Sequence, residues 1–145
     1  KQLEKKLDNH ETFLLLTFVA DEQDVKDSKL IEAFDDSLNR AGLTGFYANL
    51  KGEDEKKLLE WGKEHTYSNY DEDWNPVKDG LVLIHDGKKI VTGKMVPKED
   101  IRGIANNEEG YSEDFFGRYW KGKIDSGLNE ILEFMEFKAI KFNQY

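Results

Sequence analysis

"TFLLLTFVADEQDVKDSKLIEAF", residues 12–34, decides the fold class. It opens on a continuous apolar run, residues 12–20, rich in β-branched and aromatic types. An unbroken run of this length predicts a strand buried on both faces, as in a parallel or mixed sheet. Residues 27–41 then place Leu30, Ile31, Phe34, Leu38 and Ala41 on one stripe, which predicts a helix. Asp27 or Ser28 can cap its start, and Gly42 suits a left-handed stop. Between strand and helix, residues 21–26 read as an acidic turn. Many α/β proteins keep reactive groups at such a junction, yet this one holds no cysteine, no serine nucleophile and no glycine-rich cradle.

Working outward, residues 1–9 read as a short charged helix with Leu3 and Leu7 on one face. Residues 45–50 predict a second strand, and residues 53–65 a second helix with Leu58, Trp61, Gly62 and His65 inward. Residues 66–80 form a polar loop dotted with aromatics, long enough to suggest a functional role. A hairpin follows, with strands 81–85 and 89–95 around Asp86-Gly87-Lys88. Residues 98–107 predict a helix, residues 111–121 an aromatic-rich helix, and residues 126–142 a last helix. The end of that last segment, FMEFKAIKF at 134–142, reads either as helix or as an extra strand.

A βαβ unit feeding an antiparallel ββα unit resembles the thioredoxin fold. TFVADEQDVK, residues 17–26, is similar to the strand end and active-site turn of thioredoxins, and GLVLIHDGKKIVTG, residues 80–93, to their hairpin. The resemblance covers about residues 1–107. It implies an α/β, three-layer sandwich around a central mixed sheet, within a single domain of residues 1–145 whose helical extension is residues 108–145. Among relatives, the chain looks most like small bacterial thioredoxin-like accessory proteins of the Gram-positive type, some of which accompany bacteriocin export. The chain starts at Lys1, which implies that a tag or N-terminal segment has been removed, and it is compatible with a cytoplasmic or an exported location.

The departures from the family pattern bear on function. Gln23 and Lys26 stand where the family's Cys-x-x-Cys pair would sit. The family's cis-proline position falls near Asp79, and Pro76 lies three residues early. Dithiol exchange needs a thiolate nucleophile and a resolving thiol, and the chain has no cysteine. Thiol–disulfide catalysis, zinc–thiolate sites and iron–sulfur clusters are therefore excluded. The net charge of −9 repels a phosphate backbone, so no nucleic-acid partner is expected. No segment approaches the ~20 apolar residues of a membrane span. No cofactor and no catalytic residue is expected.

The expected function is that of a redox-inactive accessory module docking a protein or peptide. Its candidate surface combines Asp21, Glu22, Gln23, Asp24 and Lys26 with Tyr70, Trp74, Pro76 and Asp79 of the long loop. Two blander readings stand beside it. Acids at a helix start are favoured by the helix dipole alone, and Trp74 with the tyrosines can simply cover a core edge. The alternative function is a carboxylate-based metal or non-redox enzyme site. Asp71, Asp73 and Asn75 match the first ligand positions of a calcium loop and Asp79 the ninth, but Pro76 and Val82 replace the required glycine and glutamate. No metal site is therefore assigned. Residues 111–120, with five aromatics and Arg118, read as packing over a sheet face or as a second partner surface. His10, His65 and His85 show no zinc-like spacing and read as structural.

Overall fold

The protein's structure is a computed structural model that describes residues 2–67, 72–94, 98–107, 110 and 112–142. The apolar run forms β1 (Phe13–Phe18), and all six of its residues are buried. It is buried because it sits inside a four-stranded sheet of order β2-β1-β3-β4, completed by β2 (Gly45–Asn49), β3 (Gly80–His85) and β4 (Lys88–Lys94). β2 runs parallel to β1, with Leu14 opposite Gly45 and Phe18 opposite Asn49. β3 is antiparallel to β1, and β4 antiparallel to β3. The hairpin closes through Asp86 and Gly87, at φ 53° and 80°. That two-residue, positive-φ turn matches the right-handed twist of the flanking strands.

Helices cover both faces of this mixed sheet. On one side lie α1 (Gln2–Asp8) and α4 (Glu55–Glu64), packed with Trp74 over Phe13, Leu15, Val82 and Ile84. On the other lie α2 (Glu22–Ser28), α3 (Leu30–Ala41), α5 (Lys98–Asn106) and α6 (Glu113–Lys138), over Leu14, Leu16, Phe18, Leu81 and Leu83. The alternate residues of one strand thus feed two separate cores, which is why the run shows no polar alternation.

Three expectations need correction. Residues 22–26 are helix, not turn. Asp21 stands extended at the N-cap, and the acidic first turn suits the positive helix end. The helix then breaks at Lys29, whose φ is 64°. Ser28 marks the break: its hydroxyl donates to the Val25 carbonyl (2.9 Å) and accepts from the Leu30 amide (3.3 Å), competing with the regular ladder. Finally, residues 113–138 form one helix of 26 residues, with no interruption near Gly122. The end of FMEFKAIKF is not a strand, because Ala139 adopts a left-handed conformation and the Ile140 amide bonds the Met135 carbonyl at 2.9 Å, closing a C-terminal cap.

Two glycine contacts set how closely the layers approach. A Cβ at Gly93 of β4 would lie 2.4 Å from the Gly127 carbonyl oxygen of α6. On the opposite face, a Cβ at Gly62 of α4 would lie 2.1 Å from the Trp74 carbonyl oxygen and 2.9 Å from Pro76 Cδ. The nearest obstacle there is backbone, so a methyl group must lever α4 away from the 72–79 segment. Gly62→Ala is expected to cost about 1–3 kcal/mol, although alanine in an open helix position gains up to about 1 kcal/mol over glycine. Gly122→Ala is the control of opposite sign, since nothing lies within 4 Å of its Cβ position. Urea denaturation of both variants checks this pair. A Gly62→Ala protein as stable as the parent would mean that α4 does not rest on the loop.

Candidate partner-binding cleft

β1 and β2 end side by side, and Asn49 fastens their ends together. Its Nδ2 donates to the Ala20 carbonyl at 2.8 Å, and its Oδ1 accepts from the amides of Ala20 and Lys51 at 3.3 and 3.1 Å. That clamp fixes where the chain leaves β1 and hence where α2 begins. Asp21, exposed, pairs with Lys51. Gln23 donates to Asp27 at 3.0 Å, one turn along α2. Glu22 and Lys26, also one turn apart, share a different stripe of α2.

That stripe faces a cleft of about 360 Å³. Its apolar wall is Phe18, Val25 and Ile31, with Tyr47 of β2 opposite. Its polar rim is Glu22, Lys26, Lys29, Glu32 and Asn49. The buried Phe18 ring stacks on Tyr47, centroids 6.3 Å apart and planes 17° apart. Tyr47 remains 52% exposed, so one aromatic face is presented to solvent above a fixed aromatic floor. β2 is an edge strand, and this is what leaves Tyr47 uncovered. The lining contains no serine, threonine, cysteine or histidine. Such a surface can hold an apolar or aromatic side chain and pair its polar neighbours, but it presents no activated nucleophile.

The 72–79 segment reaches the same end of the sheet by a different route. The antiparallel register sets Leu81 opposite Leu16, and the Thr17 hydroxyl donates to the Pro76 carbonyl at 2.7 Å. Its candidate residues, however, do not form an aromatic platform beside α2. Trp74 is only 1% exposed and lies in the core on the opposite face, its ring 4.8 Å from that of Trp61. The Trp74 amide donates to the Thr66 hydroxyl at 2.8 Å, and that hydroxyl donates to the Gly62 carbonyl at 2.7 Å. Trp74 is therefore corrected from docking residue to core residue. Pro76 is buried as well. Tyr70 and Asp71 lie outside the described residues.

The calcium-type candidates have other work. Asn75 Oδ1 accepts from the amides of Val77 (3.1 Å) and Lys78 (3.2 Å), and Asp79 Oδ2 accepts from the Asn75 amide at 2.8 Å. Those oxygens close a turn onto itself, whereas a calcium loop aims them at one point. Asp73 is exposed. Among the described residues, no three histidine or carboxylate groups are gathered as a metal would require. The histidines are tied locally: His65 Nδ1 lies 2.8 Å from the Trp61 carbonyl, His85 Nδ1 3.2 Å from the Thr12 hydroxyl, and His10 Nδ1 3.3 Å from Asp86.

Two features escaped the sequence reading. Lys89 is 1% exposed, and its ammonium donates to the Glu72 carbonyl at 2.9 Å, tying the long loop to β4. A lysine in a hairpin strand gives no signal of burial. Tyr47 escaped because its exposure depends on strand order. Of the aromatic cluster in α6, Phe116 and Trp120 are buried and pack on the sheet, while Arg118 is exposed. No helix among the described residues is long and apolar enough to cross a membrane. Comparison of the chain with protein-family models, with curated proteins and with solved structures finds no match in any of the three.

Proposed function

We propose that this protein is a thioredoxin-like accessory module without thiol chemistry, which docks a peptide segment of a partner protein in the cleft between α2 and β2. The fold assignment is supported by the strand order β2-β1-β3-β4, the parallel β1–β2 pair joined across helices, and the antiparallel hairpin that follows. It is also supported by a helix that begins right after the central strand, where the resembled family keeps its reactive turn. The functional reading rests on one observation above the others: the stacked Phe18–Tyr47 pair forms an aromatic floor and wall beside the Glu22–Lys26 stripe of α2. Of the expected docking residues, Glu22 and Lys26 line this cleft. A partly exposed tyrosine over a rigid base has the character of an interface anchor, giving large contact area at small entropic cost. The metal alternative has no comparable support, given how Asn75 and Asp79 are engaged.

The test uses a random heptapeptide display library panned against the immobilised protein. Peptides recovered should lose about tenfold or more in affinity for Tyr47→Ala, in line with truncation of an aromatic anchor. Lys26→Glu should alter the preferred charge of the recovered peptides. Both positions lie at the surface, so melting temperatures should stay close to the parent's. If the selected peptides bound Tyr47→Ala and Lys26→Glu as tightly as the parent, the cleft would not be the docking site.

A further inference from the structure

Beyond the cleft, a second depression of about 650 Å³ runs between α3 and α6. On α3 it is bordered by Lys29, Glu32, Ala33, Asp36 and Arg40, residues that repeat at helical spacing along one face. On α6 it is bordered by Gly117, Arg118 and Lys121. Gly117 and Ala33 keep its floor low, and its rim is four cations against two carboxylates.

Those charges are not equivalently engaged. Arg40 is held by Asp36 and Asp125, each at 3.4 Å, and by the Ser37 hydroxyl at 3.0 Å. Lys29 sits 4.0 Å from Glu32, a loose exposed pair. Arg118 and Lys121 have no ion-pair or hydrogen-bond partner among the described residues, although the chain carries a net charge of −9. An acidic protein has carboxylates to place beside its cations. A guanidinium and an ammonium set together without a partner among the described residues, one turn apart over a concave surface, make a local site of reversed sign.

The geometry points to an acidic polypeptide segment as the occupant: we propose that the α3–α6 groove binds an extended peptide whose carboxylates meet Arg118 and Lys121. The length of the groove argues for a peptide over a single small anion. From Lys29 to Arg40 α3 rises about 17 Å, the span of about five extended residues. The carboxylates of Glu32 and Asp36 argue against a continuous phosphate chain, which would meet them at every step. A peptide with acidic residues spaced by neutral ones can set its carboxylates against α6 and its uncharged side chains over Ala33 and Gly117. Arg118 can receive a carboxylate through two parallel N–H donors, which gives orientation as well as attraction. The groove and the α2–β2 cleft share Lys29 and Glu32, but this inference does not depend on the cleft being occupied.

Fluorescence anisotropy with a labelled pentapeptide of alternating glutamate and alanine tests it, with lysine–alanine and pentathymidylate probes of equal length as comparisons. The acidic peptide should bind saturably, and less tightly as salt rises. Arg118→Ser combined with Lys121→Ser should weaken it by about tenfold or more. Ala33→Glu, which fills and recharges the floor while leaving the residues of α6 unaltered, should do the same. Tyr47→Ala should leave this binding unchanged, so failure of the groove and failure of the cleft give different patterns. Equal binding of the acidic peptide to parent and double variant would overturn the proposal. So would lysine–alanine or pentathymidylate binding as tightly as the acidic peptide.

Discussion

Replacing Trp120 with phenylalanine should destabilise the protein by about 2–4 kcal/mol, because two costs fall on one site. Trp120 is 0% exposed and its indole nitrogen donates to the Ser28 carbonyl at 2.7 Å. Ser28 ends α2, so its carbonyl is one of the oxygens that a helix leaves without an internal partner. Ser28 is itself 0% exposed, so no solvent can replace the indole. Phenylalanine leaves that oxygen buried and unpaired, at about 1–3 kcal/mol, and leaves part of the indole volume empty as well. For a chain of this size the melting temperature should fall by roughly 5–15 °C, at about 2–4 °C per kcal/mol. Trp120→Ala should cost about 3–5 kcal/mol. Thermal and urea unfolding followed by circular dichroism measures both. A phenylalanine variant within about 0.5 kcal/mol of the parent, the range of an ordinary surface change, would show that the bond to Ser28 contributes nothing.

The same contact explains which parts of the fold were legible in sequence. The run from Phe13 to Phe18 announces a doubly covered strand because burial on both faces removes every polar position. The Asp86-Gly87 turn announces a hairpin because few residues tolerate two positive φ angles in succession. These are local constraints and are written locally. The break at Lys29 is only partly so: the Ser28 hydroxyl competes with the ladder locally, but the Ser28 carbonyl left at the end of α2 finds its donor in an indole 92 residues away. The continuity of α6 was hidden for a related reason. Residues 122–125 fall between the segments 111–121 and 126–142 that read as separate helices, but burial of Trp120, Ile124 and Leu128 on one face carries the helix through them.

The lining of the α2–β2 cleft divides in the same way. Glu22 and Lys26 are legible in sequence because they follow directly from a buried strand end. Tyr47 is not. The alternation in GFYAN is compatible with a covered tyrosine, and only the position of β2 at the sheet edge leaves that ring open to solvent. Sequence shows Arg118 only as one member of an aromatic cluster. That no carboxylate among the described residues pairs with it appears only when α3 is laid beside α6, because ion pairing is a property of neighbours in space.

Trp74 should behave differently from Trp120 under the same pair of substitutions. It is buried to 1% exposure between α4 and the sheet, yet its indole nitrogen has no hydrogen-bond partner among the described residues. A buried donor without an acceptor costs about 1–3 kcal/mol. Phenylalanine removes that donor while keeping a ring against Trp61, so the gain offsets the lost volume. Trp74→Phe is therefore expected within about 1 kcal/mol of the parent, below the loss at Trp120. Trp74→Ala removes the ring that α4 rests on and should cost about 3–5 kcal/mol. Much of a typical domain's stability would go with it. Any loss of peptide binding by Trp74→Ala would then follow the unfolded fraction, whereas loss by Tyr47→Ala would appear in a fully folded protein. Measuring binding and unfolding on the same samples separates the two. If Trp74→Phe proved as costly as Trp120→Phe, the Trp74 nitrogen must be hydrogen-bonded in solution. If Trp74→Ala lost binding while fully folded, Trp74 would return to the docking surface from which its burial removes it.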